Sequence, residues 1–303
     1  MFVGNRLRCP GVAQVGLTQE NAAQFMTPET ISQIGAALMA TVWLAVPVQA
    51  KEEPLWEYGL GLGALGYSDY RGANTSHVFP VPVPYLNYNG PFLKADKDGL
   101  HGLLFNRPWV ELNLSFDATM PVSNDRTRSD MPELKPTVEA GLSLDFHLWR
   151  SDDARTKIDF KVPVRQAFTL QNPPQPIGWT LTPGVRLNAA DAFGHAGWEA
   201  GVFTGPLFAN RHYNGYFYTV EPQNATASRP TYQASGGYAG TQFVADLTKR
   251  YPKYWVGGFV RYDTLAGAVF DGSPLVRREN YWAAGIVFAW MIGRSTQMVE
   301  VAP

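Results

Sequence analysis

The side chains most often used in catalysis and metal binding are scattered in this sequence. The five histidines are His77, His101, His147, His195 and His212. No two of them have the spacing of metal ligands, and the G-x-S-x-G motif of serine hydrolases is absent from the sequence. The glycines at 59, 61 and 63 alternate as on one face of a strand, unlike a phosphate-binding loop. We therefore expect no metal, no cofactor and no enzymatic activity.

Composition indicates a β-rich protein. The 303 residues are 45% hydrophobic and 13% aromatic but only 17% charged, below the ~25% that is usual for soluble domains. The 25 Lys and Arg balance 26 Asp and Glu, so no net charge favours nucleic acid. With the single cysteine, Cys9, an intramolecular disulfide is excluded.

An apolar run at 34–48 predicts export. It is too short for a membrane helix, which needs ~20 residues, and it ends in Val48-Gln49-Ala50, a small-residue cleavage site. The alternative is an ordinary buried helix. The stretch just upstream carries Glu29 and no basic residue, which suggests that 1–25 is an overextended reading frame and that Met26 is the real start. We divide the chain into an N-terminal extension and signal peptide (1–50), a barrel (51–292) and a C-terminal tail (293–303).

Alternation of apolar and polar residues dominates the rest of the chain. It is clearest at 109–117, 137–148, 157–165, 179–188 and 282–290. Segments of about ten residues fit strands that cross a bilayer at a tilt. Aromatic residues mark their ends, as in the girdles of membrane barrels: Trp56, Tyr58, Trp109, Trp149, Trp179, Tyr254, Trp255 and Trp290. The pattern predicts an all-β, transmembrane antiparallel β-barrel; the alternative is a soluble sandwich with an aromatic core.

Loop lengths predict about 12 strands (10–12). The segments 120–135, 169–178, 209–230 and 267–280 are long enough for outer loops, and the short connections between the other strands suit the periplasmic side. The count depends on 92–105, which is either one strand or two short strands around Asp96-Lys97-Asp98-Gly99. Only two strands preserve the order of loops and turns.

Three prolines complicate the second strand. Pro80, Pro82 and Pro84 alternate with apolar residues, yet proline has no N–H for the ladder and is normally confined to edges and bulges. This strand either pairs poorly on one side or lies partly outside the membrane.

The polar faces of the strands predict a charged lumen. Its charges are Glu111, Glu139, Asp145, Lys161, Arg165, Arg186, Arg261 and Asp263. They either define an ion-selective pore or pair and seal a narrow barrel, which removes most of the cost of burying them. His147 shares a face with Glu139 and Asp145, which fits a lumen hydrogen-bond network or a proton relay.

The loop 209–230 is a candidate partner-binding surface because it is rich in aromatic residues and arginine. Its candidate residues are Arg211, His212, Tyr213, Tyr216, Phe217 and Tyr218. The same residues would also suit a plug folded into the barrel or the girdle of the flanking strands.

Several short segments, in this order and spacing, resemble the MipA/OmpV family. They are 56–64, the following Pro-rich strand with Tyr85, 131–134, 139–141, 205–209, 213–218, 229–232, 235–238 and 273–276. The resemblance covers about 55–292. Outer-membrane barrels commonly end on an aromatic residue that the assembly machinery reads. This chain departs from that pattern, because it runs on past Trp290 to Pro303 and leaves the aromatic residue internal.

The resemblance implies a Gram-negative outer-membrane barrel in contact with outer-membrane lipid. One family member is a scaffold that joins a lytic transglycosylase to a peptidoglycan synthase. We therefore expect a scaffold or binding protein with peptidoglycan enzymes as partners and no nucleic acid. A small-solute channel is the alternative, and an outer-membrane lipid-modifying enzyme is the third hypothesis.

Overall fold

The computed structural model describes residues 51–301 except 91–92, 97–98, 103–104, 121 and 123–124. The described strands are β1 (Lys51–Pro54), β2 (Trp56–Ser68), β3 (Ser76–Asn89), β4 (Leu93–Asp96), β5 (Gly99–Gly102), β6 (Phe105–Arg107), β7 (Val110–Thr119), β8 (Thr137–Arg150), β9 (Thr156–Thr169), β10 (Pro176–Leu181), β11 (Gly184–Ala190), β12 (Trp198–Ala209), β13 (Gly237–Arg250), β14 (Tyr254–Thr264), β15 (Asn280–Arg294) and β16 (Met298–Val301). The helix α1 spans Arg211–Tyr218. The signal peptide predicted within 1–50 lies outside the described residues.

Strands β2 to β15 form one antiparallel sheet that curls into a barrel, with β5 and β6 at the two ends of its hydrogen-bonded path. Its path runs from β5 through β4, β3, β2 and β15 around to β7 and β6. Strands β10 and β11 both pair with β9 and β12, so they are two segments of one strand. Strands β5 and β6 also run in one direction, and β5 lies beside β7. With each pair taken as one strand, the described residues form twelve strands, which agrees with the predicted number.

The register places the two kinds of side chain on opposite faces, as the alternation predicts. On β8, Leu144 is 43% exposed on the outer surface, whereas Asp145 is 4% exposed inside the barrel. Most of the predicted girdle residues, including Trp109, Trp149 and Trp290, are also exposed. Trp255 differs from the expectation: it pairs with buried Ala289, faces the lumen and lies 5.8 Å from the ring of Tyr85.

Strand β3 is paired along its whole length on one side only. It pairs with β2 from Ser76 to Asn89, but among the described residues it pairs with β4 only at Tyr88 and Asn89. Because the β2 ladder is continuous and proline donates no hydrogen bond, the prolines must occupy the positions whose N–H would point away from β2. The first of the two explanations for the prolines therefore holds: they lie along an open edge.

The two ends of the barrel differ. The connections 69–75, 120–136, 170–175, 210–236 and 265–279 lie at one end, which we name the outer end because outer-membrane barrels carry their longer loops outside. The inner end carries the turns 151–155, 191–197 and 251–253. There β1 pairs with β16, so the tail folds back onto the start of the described chain. No helix among the described residues is long and apolar enough to cross a membrane.

Candidate functional site

Near the outer end, the lumen contains two clusters of buried charge. Arg165 donates from Nε to Glu139 Oε2 at 3.3 Å, and its Nη2 lies 3.6 Å from Asp117 Oδ2. Asp263, with no exposed surface, accepts hydrogen bonds from Arg261 at 2.9 Å and from Arg71 Nε at 2.7 Å. Because Arg71 belongs to the loop 69–75, this second cluster ties an outer loop to the barrel wall.

Lower in the lumen, ion pairs join neighbouring strands. Lys161 Nζ lies 2.9 Å from Asp145 Oδ2, and Arg186 Nη2 lies 2.7 Å from Asp246 Oδ1. Removing one member of a buried pair leaves an uncompensated charge. The arrangement therefore resembles the paired lumen more than a ring of free charges.

His147 lies between two carboxylates in this part of the lumen. Its Nδ1 is 2.8 Å from Asp159 Oδ1, and its Nε2 is 3.8 Å from Glu111 Oε2. Within the described residues, no group of three His, Cys, Asp or Glu side chains is placed to hold a metal ion. This geometry fits a hydrogen-bond network along the wall.

The outer loops pack together above the lumen into a structure we call the outer plug (69–75, 122, 125–136, 210–236 and 265–279). Its apolar core is buried beneath the loops: Tyr70, Val122, Leu134, Phe217, Tyr218, Leu265 and Phe270. The ring of Tyr218 stacks on that of Phe270 with centroids 3.7 Å apart. Tyr70 donates to the carbonyl of Leu275 at 2.7 Å, so loops distant in sequence are joined by both packing and hydrogen bonds.

Helix α1 is the part of the plug that reaches into the barrel. Asn210 begins it as an N-cap, since its side chain accepts a hydrogen bond from the Tyr213 N–H at 2.9 Å. The side-chain hydroxyl of the same Tyr213 donates to Glu139 Oε1 at 2.7 Å, and Thr180 donates to the other oxygen of that carboxylate. Burial raises the pKa of the Tyr213 hydroxyl, with the Glu139 carboxylate adding to the shift, so the tyrosine remains a neutral donor.

The candidate residues of the loop 209–230 divide between surface and plug. Arg211 and His212 are exposed at the start of α1. Tyr213, Phe217 and Tyr218 are buried, and half-buried Tyr216 accepts from the Lys135 N–H at 2.8 Å. Four of the six candidates thus contribute to plug packing.

Five contributors to the charge clusters and ion pairs lie outside the predicted set: Glu57, Arg71, Asp117, Asp246 and Arg250. Arg71 lies in a loop, where alternation cannot assign a face. Asp246 could have been found, because β13 alternates between outward Phe243 and Leu247 and inward polar residues. Glu57 is fully buried and pairs with Arg250 near the inner end.

A cavity of about 1300 Å³ occupies the lumen below the plug. It is lined from Trp149 and Lys157 near the inner end up to Arg165 and Arg261. One side of its wall carries the charges described above, whereas the side formed by β2, β3, β14 and β15 is mostly apolar. The lumen therefore has room for a ligand but ends beneath packed loops.

The buried carboxyl of Asp69 should make the stability of the outer plug depend on pH. Burial raises the pKa of its carboxyl to about 6; the neighbouring Asp125 carboxyl also raises it, against the opposing effect of His77 2.7 Å away. The unfolded value is about 3.9, so the native state holds an extra proton between these values and stability falls as the pH rises from about 4 to 6. We expect Asp69→Asn to slow proteolysis of the outer loops severalfold at pH 7 and by less at pH 5.

At each pH, the cleavage rate of the wild type is divided by that of the variant, which removes the pH dependence of the protease itself. Asp153→Asn, in an exposed turn at the inner end, is the matched control and should give a ratio near one at both pH values. A constant ratio for Asp69→Asn would contradict the assignment of the proton to this carboxyl.

Comparisons with known proteins agree on the kind of protein. The family model for MltA-interacting protein MipA matches residues 60–292. Outer membrane protein Omp26La of Vibrio anguillarum is 24% identical, and OmpV of Vibrio cholerae is 25% identical; each alignment covers 68% of this chain and 76% of the relative. A bacterial polysaccharide outer membrane secretin covers 78% of this chain and 99% of its own at 8% identity, with a TM-score of 0.42, too low to establish a shared fold.

The barrel-shaped antiparallel sheet, its apolar outer surface and its exposed aromatic rings define a β-barrel protein of the outer membrane. The family match spans most of the chain. The chain belongs to the MltA-interacting protein MipA family, as the short segments of the sequence indicated.

Proposed function

We propose that this protein is a non-conducting outer-membrane barrel that acts as a scaffold, binding a peptidoglycan enzyme at its inner end. The closure of the outer end supports this proposal most strongly. Hydrogen bonds join the plug to the barrel wall, from Tyr213 to Glu139 and from Arg71 to Asp263. The matching family model is named for interaction with MltA, a peptidoglycan enzyme, which supports a lytic transglycosylase as the partner.

The turn 191–197 offers a docking point for such a partner. Phe193 is 82% exposed at its tip and has a φ of 58°, a left-handed conformation that is uncommon for a bulky residue. Asp191 holds the turn by accepting from the Gly197 N–H at 2.7 Å. An exposed aromatic in a fixed conformation is a suitable anchor for a protein interface.

Phe193→Ala should weaken capture of a purified lytic transglycosylase of the MltA type by roughly 30-fold, the effect of losing an interface anchor worth about 2 kcal/mol. Pull-down and titration in detergent measure it. Lys253→Ala, an exposed change in another turn of the inner end, should bind as the wild type does. Equal binding by all three proteins would reject the turn as the docking point, and no binding by the wild type would reject the scaffold.

A small-solute channel is the second candidate, and the lumen cavity is the observation in its favour. Planar-bilayer recordings separate the two functions. A plugged scaffold should show no steady single-channel steps. Steps whose selectivity changes in Arg165→Gln or Arg186→Gln would support the channel instead.

A further inference from the structure

The wall of the lumen cavity is divided into an apolar half and a charged half. The inward residues on β2, β3, β14 and β15 include Leu65, Val81, Val83, Phe259 and Val287, all of which line the cavity. The facing strands contribute the ion pairs of Lys161 and Arg186. Such a cavity matches a molecule with one long apolar part and one charged part, since each would lie against its own kind of surface.

Three cations lie at the inner mouth of this cavity. Arg107, Arg150 and Lys157 line it, and none of them has an ion-pair partner among the described side chains. Arg150 is directly opposite Lys157 in the register of β8 and β9. Like charges in this position repel, so an anion bound between them would remove a repulsion as well as form new hydrogen bonds.

The barrel wall is open towards the membrane beside the apolar half. Among the described residues, β3 has no partner on its open edge before Tyr88, and β7 is paired with β6 only at Val110–Leu112, although β5 lies beside β7. Leu114 and Phe116 point outward from β7 and nevertheless line the cavity. The unpaired edge of β3, whose inward residues Val81 and Val83 line the cavity, therefore borders the cavity on this side of the barrel.

We infer that the lumen binds an anionic amphiphile with an acyl chain, which enters from the membrane beside the unpaired edge of β3. The head group lies at Arg107, Arg150 and Lys157, and the chain lies along Val81, Val83 and the neighbouring apolar wall. An acyl chain in the gap would also cover backbone groups that are costly to leave unpaired in lipid. This site is independent of the partner proposed at the turn 191–197.

The test uses the full barrel in a non-ionic detergent and palmitate that carries a diazirine near its methyl end. We expect saturable photolabelling that maps to the inner-face residues Val81, Val83 or Phe259. Unlabelled palmitate should compete, and hexadecanol, which has the same chain without the charge, should compete about tenfold less well, because charged hydrogen bonds are lost. Labelling confined to outward residues such as Leu60 and Leu144 would overturn the inference.

Two variants test the two halves of the site separately. The double change Arg150→Gln with Lys157→Gln should weaken palmitate by about tenfold or more and abolish its advantage over hexadecanol. Lys253→Gln, at the same end but outside the cavity, should bind as the wild type does. Val83→Trp, which fills the apolar wall, should reduce labelling while leaving the cations in place.

Heat-modifiable migration on gels confirms that each variant is folded, so a failure of binding can be read directly. If the folded Arg150→Gln, Lys157→Gln protein and the folded Val83→Trp protein both bind palmitate as the wild type does, the site is rejected. A phosphatidylglycerol arm identifies the source: stronger competition than by palmitate assigns a phospholipid, and weaker competition assigns a free fatty acid. Both of these results require the same anionic head site.

Discussion

Phe270→Ala is expected to lower the free energy of unfolding by about 3–5 kcal/mol, the usual cost of removing a buried phenylalanine side chain. Phe270 has no exposed surface and stacks on Tyr218 at the centre of the outer plug. The wall strands pair without it, so the loss should fall mainly on the plug. Denaturant titration in detergent measures the total change, and cleavage in 265–279 by an added protease measures the local one.

Phe193→Ala supplies the matched control for this measurement. It removes the same ring from the surface of an inner turn, where no packing is lost, and it should leave the free energy of unfolding within about 0.5 kcal/mol of the wild type. A similarly small change in Phe270→Ala would contradict the burial of Phe270 in the core of the plug.

Asp263→Ala is the second change with a large expected effect, about 3–5 kcal/mol, because it breaks a buried ion pair. Two arginines, Arg71 from the plug and Arg261 from the wall, would lose their common carboxylate. The freed guanidinium groups would repel one another and separate the plug from the wall. We expect lower stability together with conductance events in planar bilayers that the wild type lacks.

The neighbouring arginine gives an internal check on that result. Arg71→Ala removes the link to the plug but leaves Arg261 paired with Asp263, so it should open the barrel with a smaller loss of stability. Asp153→Ala changes the same charge in an exposed turn and should do neither. Stability and conductance equal to wild type in Asp263→Ala would show that this carboxylate does not fasten the plug.

The wall of the barrel could be predicted from the sequence because alternation is a local signal. Each of Glu139, Asp145, Lys161 and Arg165 was assigned to the inner face from its immediate neighbours, and the register places them there. The prediction was wrong at Trp255 because it followed residue type: the aromatic ring suggested a girdle, while the position in the alternation points inward. Residue type was a poorer guide than parity at that position.

The plug could not be predicted because its contacts join residues far apart in sequence. Tyr70 and Leu275 are hydrogen-bonded although 205 positions separate them. Loops carry no periodicity that assigns a face, so the sequence left the loop 209–230 open among a surface, a plug and a girdle. The burial of Tyr213, Phe217 and Tyr218 arises from the packing of four loops against one another.

The prolines of β3 also bear on how copies of this barrel meet in the membrane. An unpaired strand edge normally serves as a template on which another chain adds a strand. Pro80, Pro82 and Pro84 remove three donors from that edge and leave carbonyl oxygens, so an incoming strand would find only half of a ladder. The barrel can thus keep a gap in its wall without offering its neighbours a strand to extend.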